Sequence, residues 1–103
     1  MPEAADPVIL TMRWEGVTDA LLGHIARYVV MSRGEPGCRN IDLCASVTSD
    51  GRVVVIEKWA SFADQKAHMD GDTMVSLAVA ARDLGAARPK LDLLEGLSAH
   101  DLQ

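Results

Sequence analysis

The chain has 103 residues, a length typical of one domain, and its 49% hydrophobic and 24% charged residues are typical of a folded globular protein rather than a disordered one. The net charge of −5, without any run of Arg or Lys, argues against a nucleic-acid partner. The first residues, MPEAADPVILTMRW, lack the basic and long apolar stretches of a secretory signal, and no apolar run approaches the ~18 residues of a membrane span. We therefore expect one domain over residues 1–103, located in the cytoplasm and bound to no membrane.

The first half of the chain predicts a strand, a helix and a second strand. Pro7 to Arg13 is rich in β-branched and apolar residues and is too short for a helix, so it predicts a strand. From Thr18 or Asp19, either of which can cap a helix, apolar residues recur at spacings of three and four until Gly34 ends the pattern. Gly37 to Val47 alternates apolar residues at odd positions, Val47 included, with polar residues at even positions, which predicts a strand with two different faces.

The second half predicts a hairpin, a broken helical region and a last strand. Asp50-Gly51 favours a tight hairpin, so Arg52 to Trp59 is predicted to be the antiparallel return strand. Ser61 can cap the next helix, which Gly71-Asp72 interrupts. The remaining predicted elements are a helix from Thr73 to Leu84 and a strand from Arg88 to Leu97.

This β-α-β-β-α-β order predicts an α+β, ferredoxin-like domain, in which a four-stranded antiparallel sheet carries helices on one face. The other face of such a sheet is bare. The return strand nevertheless has apolar residues on both faces, with Val53 and Val55 opposite Val54 and Ile56. A second copy of the chain would cover the bare face, so we predict a homodimer formed through the open sheet face.

The two cysteines, Cys38 and Cys44, are predicted to be free thiols. They are six residues apart on one predicted strand, a separation of roughly 20 Å, which is beyond the reach of a disulfide. Their even spacing places them on the same face of the strand, and small buried side chains are expected there rather than reactive nucleophiles.

Glu57 and Trp59 are the first candidate site residues. Strand alternation places both on one face, together with Val53 and Val55. An unpaired carboxylate on such an apolar face suits a general acid or base that works near neutral pH. The alternative is a structural carboxylate that pairs with an arginine or caps backbone amides. Trp59 can likewise form a flat wall for an aromatic ligand or pack under a helix as a core residue.

His68 is the third candidate, on the helix that follows. It lies at the edge of the stripe formed by Phe62, Gln65 and Met69, so its side chain can point into the cleft between helix and sheet or into solvent. Neither the histidines nor the cysteines have the spacing of a metal site, and no glycine-rich nucleotide motif is present. We therefore expect no metal and no cofactor.

Several short motifs together resemble the antibiotic-biosynthesis monooxygenase-like family, which includes quinol, anthrone-oxidising and haem-degrading monooxygenases. The similarity extends from Pro7 to Leu97 and rests on these segments in this order: Glu35-Pro36-Gly37-Cys38, Asp50-Gly51, Ile56-Glu57-x-Trp59-x-Ser61 and Ala67-His68-Met69. The resemblance implies a dimeric α/β barrel and a cofactor-independent oxygenase. In that mechanism a base removes a phenolic proton from a planar aromatic substrate, and the resulting anion reduces dioxygen.

The resemblance also implies roles for individual residues. Glu57, Trp59 and His68 are the expected catalytic residues, and the substrate is expected to contact Val55, Trp59, Phe62 and Met69 in the cleft between sheet and helices. Three departures from the family pattern concern the reaction: Val55 replaces an asparagine of the anthrone-oxidising members, Gly71 to Met74 replaces a His-Phe pair of the quinol-oxidising members, and Ala78 lies where haem degraders have an iron-binding histidine. A quinol or hydroxylated polycyclic aromatic is the expected substrate. The alternatives are a non-catalytic small-molecule-binding or stress-associated dimer and, less favoured, a haem-degrading monooxygenase.

Overall fold

The computed structural model describes residues 7–99, which form four strands and three helices. In chain order the elements are β1 (Val8–Trp14), α1 (Asp19–Ser32), β2 (Cys38–Ala45), β3 (Val53–Trp59), α2 (Phe62–Met69), α3 (Asp72–Asp83) and β4 (Lys90–Glu95). The strands form one antiparallel sheet in the order β2-β3-β1-β4. The predicted ferredoxin-like fold is confirmed, including the break between α2 and α3.

The core lies between the helices and one face of the sheet. β1 alternates strictly between buried and partly exposed residues, and its buried residues are Val8, Leu10, Met12 and Trp14. β3 does the same in register with β1, and Leu10 is paired with Glu57. From α1, Leu21, Ile25 and Val29 complete this core. The exact period of two in both strands is therefore what aims Glu57 at the helices.

Both α1 and α2 have side-chain caps at their starts, Thr18 rather than Asp19 for α1 and the predicted Ser61 for α2. Thr18 Oγ1 accepts a hydrogen bond from the backbone N–H of Leu21, at 3.2 Å. Ser61 Oγ accepts one from the N–H of Asp64 at 3.1 Å and donates one to the Asp64 carboxylate at 3.0 Å. These contacts satisfy backbone donors that a helix leaves free at its start, and so they set where α1 and α2 begin.

The prediction that the two cysteines share a face is wrong. Cys38 pairs with Trp59 and Asn40 pairs with Lys58, so Arg39 is an extra residue in the β2 ladder. This bulge reverses the alternation, because each inserted residue shifts the following side chains to the other face. Cys38 therefore lies partly buried on the helix side, whereas Cys44 is exposed on the open side.

Two strand ends also differ from the prediction. Val47 is fully exposed instead of facing inward, because the side chain of Ser46 accepts hydrogen bonds from the N–H groups of Thr48 and Ser49 and turns the chain out of the sheet. β4 ends at Glu95, and Leu97 beyond it is 85% exposed. Beyond the end of β4, the N–H of Gly96 donates to the carbonyl of Pro7.

The open face of the sheet carries apolar side chains. Ile56 is 38% and Leu94 is 43% exposed, and Ile9 and Val54 beside them are partly exposed. On the same edge strand, Leu91 and Leu93 are each 47% exposed, although their register places them on the helix side. The helices therefore leave the inward-facing side chains of β4 half exposed. No helix within residues 7–99 is long and apolar enough to cross a membrane.

Gly37 holds the loop before β2 against the start of α2. Its φ is +79°, and a Cβ built on it would lie 2.3 Å from the Asp64 side chain. We expect Gly37→Ala to lower the free energy of unfolding by about 2–4 kcal/mol, since it combines left-handed strain with overpacking. The matched control is Gly85→Ala, where φ is +70° and nothing lies within 4 Å. Urea unfolding should show a loss of only about 1–2 kcal/mol there; equal losses would contradict the steric argument.

Candidate functional site

A buried carboxylate, Glu57, is the centre of the candidate site. It lies on β3 with an exposed fraction of 0%, and its register neighbours are Leu10 and Ile41. A charge in such surroundings has to be compensated by hydrogen bonds. Trp59 Nε1 donates to Glu57 Oε1 at 2.9 Å, and the Tyr28 hydroxyl of α1 donates to Glu57 Oε2. Glu57 is thus held by an indole and a phenol, and not by the arginine or backbone amides of the structural alternative.

His68 points inward, which decides the orientation that the sequence left open. Its side chain is fully buried, and its Nε2 lies 2.6 Å from Tyr28 Oη and 3.7 Å from Glu57 Oε1. The imidazole stacks on the Trp59 indole with 4.5 Å between ring centroids and an interplanar angle of 27°. The short helix α2 therefore places its only histidine against both candidate residues of β3.

The other ring nitrogen of His68 faces a second carboxylate. Nδ1 lies 3.0 Å from both oxygens of Glu35, in the loop between α1 and β2. The Glu35 side chain is 25% exposed, whereas that of His68 has no exposed area. Tyr28, Glu35, Glu57, Trp59 and His68 together are called the Glu57 cluster below. It is a continuous set of polar contacts that runs from the core to the surface.

The structure brings the three predicted catalytic residues together, because Glu57, Trp59 and His68 all belong to the cluster. The other predicted contact residues are placed differently. Val55 is fully buried on the same face of β3, Met69 packs partly buried against the core, and Phe62 is 51% exposed at the start of α2. Their role in substrate binding stays a prediction.

Two members of the cluster were not predicted as site residues. Tyr28 belongs to the apolar stripe of α1. A buried tyrosine needs a hydrogen-bond partner for its hydroxyl, and this requirement could have identified Tyr28 from the sequence. Glu35 appears in the family-like segment before β2, but its contact with His68 spans 33 positions of the chain. Only the folded structure shows that contact.

Burial raises the pKa of the Tyr28 phenol well above its ordinary value of 10.0, and the nearby Glu57 carboxylate raises this pKa further. The phenol is therefore neutral in the folded protein and can hold negative charge only at high cost. The same two causes, burial first and then Glu57, raise the pKa of the Cys38 thiol. Cys38 is accordingly a poor nucleophile.

The raised pKa of Tyr28 predicts a specific loss of stability in alkali. An unfolded chain ionises its tyrosine near pH 10.0, so the contribution of Tyr28 is complete below that pH and is lost as the pH rises above it. Tyr28 is the only tyrosine in the chain. We expect no tyrosinate absorbance at 295 nm until the protein unfolds, and Tyr28→Phe should flatten the decline of stability above pH 10. A folded protein that forms tyrosinate near pH 10 would contradict this.

A groove of about 870 Å³ lies between α1 and α3, and Tyr28 forms part of its wall. The groove has polar and apolar lining residues, among them His24, Arg27, Met31, Ser76, Leu77 and Ala80. Cavities of 300–1,000 Å³ are typical of small-molecule sites. Within residues 7–99, no group of three His, Cys, Asp or Glu side chains is arranged to hold a metal ion.

Comparison with known proteins agrees with this architecture. A family model described as antibiotic biosynthesis monooxygenase matches residues 4–78. Among solved structures, Rv0793 from Mycobacterium tuberculosis is similar with a TM-score of 0.81 and 22% identity, covering 92% of this chain and 99% of that one. A putative antibiotic biosynthesis monooxygenase from Caulobacter crescentus gives a TM-score of 0.81 and 19% identity, covering 92% and 93%.

SnoaB from Streptomyces nogalater, described as a cofactor-independent oxygenase, is also similar. Its TM-score is 0.76 and its identity 19%, with 95% of this chain and 97% of SnoaB covered. At these identities the similarity to solved structures establishes the fold alone. Among curated protein sequences, none matches the chain significantly.

Proposed function

This chain belongs to the antibiotic biosynthesis monooxygenase family, and from that membership together with the Glu57 cluster we propose that it is a cofactor-independent monooxygenase. Its proposed substrate is a quinol or a hydroxylated polycyclic aromatic, oxidised by dioxygen. The observation that carries the proposal is the Tyr28 hydroxyl, which donates to the buried Glu57 carboxylate while Tyr28 also lines the α1–α3 groove. The same residue therefore belongs to the wall of a ligand-sized space and contacts a buried carboxylate.

In the proposed first step, the substrate lies in the groove, and α1 and α3 move apart enough to bring one of its hydroxyls to Tyr28 Oη, because Tyr28 is only 2% exposed in the resting structure. Because burial raises the pKa of Tyr28, this residue does not lose its own proton before it receives the one from the substrate. It accepts the substrate proton as it passes its own proton to Glu57, so one O–H bond forms for each that breaks. The substrate is left as an electron-rich anion.

The anion then supplies the electrons that reduce dioxygen. One oxygen atom enters the substrate and the other leaves as water with two hydrogen atoms that the substrate gives up, so no external reductant is needed. In this scheme Trp59 holds Glu57 in place through its indole N–H, and the stacked His68 fixes Tyr28 from the other side. The apolar surroundings of Glu57 exclude water from the proton transfer.

A site that instead contacts Val55, Trp59, Phe62 and Met69, as the family resemblance implies, would require α2 to move away from the sheet, because Val55 and Trp59 have no exposed surface. Substitutions distinguish the two locations. Ser76→Trp would fill the groove at α3 and block binding there, whereas Phe62→Ala would weaken binding at the second location.

Oxygen consumption tests the proposed activity. The wild-type protein, free of metal and added cofactor, should consume oxygen with at least one member of a panel of reduced quinols and anthrones, with one product oxygen derived from ¹⁸O₂. No uptake with any of them would contradict the proposal. Haem titration tests the haem-degrading alternative. A Soret shift followed by haem turnover would favour that activity instead.

A non-catalytic small-molecule-binding or stress-associated dimer is the second candidate, and one observation favours it. Glu57 and Trp59 are completely enclosed, which is also typical of a polar cluster that only stabilises a core. Binding of an oxidised quinone, followed by tryptophan fluorescence, without oxygen uptake from its reduced form would support this candidate.

We further propose that two copies of the chain associate through the open face of the sheet. The support is the apolar character of that face, with Ile56 38% and Leu94 43% exposed, since patches of this kind mark interfaces. Light scattering should give the mass of a dimer, and Ile56→Lys should shift it toward the monomer. Val30→Lys is the matched control, because Val30 is 65% exposed on α1, and it should leave the mass unchanged. A monomeric wild-type protein would refute the proposal.

A further inference from the structure

The Glu57 cluster contains a continuous line of acid–base groups that leads to the surface. From the inside outward, Glu57 contacts the Tyr28 hydroxyl, Tyr28 Oη lies 2.6 Å from His68 Nε2, and His68 Nδ1 lies 3.0 Å from the Glu35 carboxylate. Exposure rises along this line, from none at Glu57 and His68 to 25% of the Glu35 side chain. Only its outer end meets water.

Counting the protons in this line shows that it is full. Each of the three contacts joins two electronegative atoms and needs one proton between them. The neutral Tyr28 phenol supplies one and a neutral His68 imidazole supplies another, so a third proton belongs to the line as well. Without this third proton, one ring nitrogen of His68 would carry no hydrogen and would face another hydrogen-bond acceptor.

Three arrangements of these protons differ only in where the third one lies: on Glu57, on Glu35, or between them on His68, whose imidazolium then donates to both Tyr28 and Glu35. In the first, Glu57 is protonated and donates to Tyr28, Tyr28 donates to His68 Nε2, and Nδ1–H donates to Glu35. In the second, Glu35 is protonated and donates to Nδ1, Nε2–H donates to Tyr28, and Tyr28 donates to an ionised Glu57, which is the direction of the Tyr28–Glu57 hydrogen bond in the structure. One shift along the line interconverts these two, with one bond formed for each bond broken.

We propose that Glu35, His68 and Tyr28 form a proton relay between Glu57 and water, with Glu35 as the positioning residue that exchanges protons at its outer end. The shift removes the proton from Glu57, which can then take a substrate hydroxyl proton through Tyr28. The overall reaction releases no net protons. The proton that moved to Glu35 therefore returns along the same residues when the reduced oxygen atom leaves as water. The role in turnover rests on the proposed function, whereas the relay itself is a property of the resting protein.

The charged groups beside the relay have contacts of their own. From β2, the Cys38 thiol faces both carboxylates, and its raised pKa keeps it neutral. The Arg33 guanidinium donates to the carbonyl of Ile41 at 2.9 Å, and on α2 Lys66 pairs with Asp70 at 2.8 Å. These two cations therefore have other partners within the described structure, and the imidazole of His68 lies between two carboxylates.

Proton exchange at His68 tests the relay without any substrate. In ¹⁵N-labelled protein, magnetisation transfer from water to the His68 ring N–H protons measures their exchange, and His68→Asn assigns the signals. We expect Glu35→Gln to slow this exchange on the order of tenfold or more, because the amide cannot act as the local base. Glu35→Asp should retain part of the rate. Glu15→Gln, which removes a surface carboxylate that pairs with Arg52, should have no effect. Unchanged exchange in Glu35→Gln overturns the relay, whether or not the protein consumes oxygen.

Turnover provides the second readout. Glu35→Ala should lower kcat for oxygen uptake about tenfold or more with little change in KM, and formate should restore part of the rate by replacing the missing carboxylate. A loss that formate does not restore, or a loss confined to KM, would contradict the relay. If the wild-type protein consumes no oxygen with any substrate, the proposed function fails, and the exchange measurement alone decides the relay.

Discussion

Glu57→Gln should reduce kcat for oxygen uptake by about 10²–10⁴-fold while the protein stays folded. Glutamine has nearly the shape of glutamate, so its amide oxygen can still accept from Trp59 at the site of the present 2.9 Å hydrogen bond. Its amide NH₂ donates toward Tyr28, whose hydroxyl then turns to His68 Nε2. The contacts are preserved, but the amide cannot take a proton. Steady-state oxygen consumption measures the effect, and the near-ultraviolet circular dichroism should be unchanged.

Tyr28→Phe is the companion variant for this prediction. It leaves Glu57 ionisable but removes the hydroxyl proposed to pass it the substrate proton, so kcat should also fall. Glu15→Gln is the control for a lost carboxylate, since Glu15 forms its ion pairs with Arg13 and Arg52 on the surface. Full activity in Glu57→Gln would eliminate Glu57 as the base, and activity in Tyr28→Phe would mean that the substrate reaches Glu57 by another route.

Trp59→Phe should cost about 1.5–3 kcal/mol more stability than Trp14→Phe, although the two substitutions are chemically identical. Both indoles are buried, with exposed fractions of 0% for Trp59 and 2% for Trp14. The Trp59 N–H donates to the Glu57 carboxylate, whereas the Trp14 N–H has no hydrogen-bond partner. Both variants lose similar volume, so the difference reports the hydrogen bond to Glu57 together with the stacking on His68.

Urea denaturation measures this difference, and each variant retains a single tryptophan as its fluorescence probe, because the chain has two. Adding Glu57→Gln to each variant completes the test. The excess cost of Trp59→Phe should shrink when Glu57 carries no charge. Equal costs for Trp59→Phe and Trp14→Phe would mean that the indole N–H contributes nothing to the stability of the cluster.

The candidate site could be predicted from the sequence to the extent that strand alternation determines it. β3 has no irregularity, so the period of two places Glu57 and Trp59 on one face from the sequence alone. β2 shows the limit of the same argument. The bulge at Arg39 has no sequence signal, and it moves Cys38 and Cys44 to opposite faces.

The orientation of His68 could not be predicted, because α2 has only eight residues and an interrupted apolar pattern. Its phase is set by Ser61 at its start and by the loop that Gly37 holds against it. The connection from Tyr28 to His68 joins residues 40 positions apart. Such a contact depends on how α1 and α2 pack on the sheet, which periodicity within each helix does not encode.

The close approach of Gly37 to Asp64 also affects how the Glu57 cluster is held together. Gly37 ties the loop that carries Glu35 to the first turn of α2, and the carbonyl of Gly37 accepts a hydrogen bond from Ala60 just before that helix. Cys38, which follows Gly37, pairs with Trp59, so the loop that carries Glu35 is attached to the sheet as well as to α2. A displacement of α2 would break the contacts of His68 with Tyr28 and Glu57, so proton transfer through His68 requires α2 to stay on the sheet.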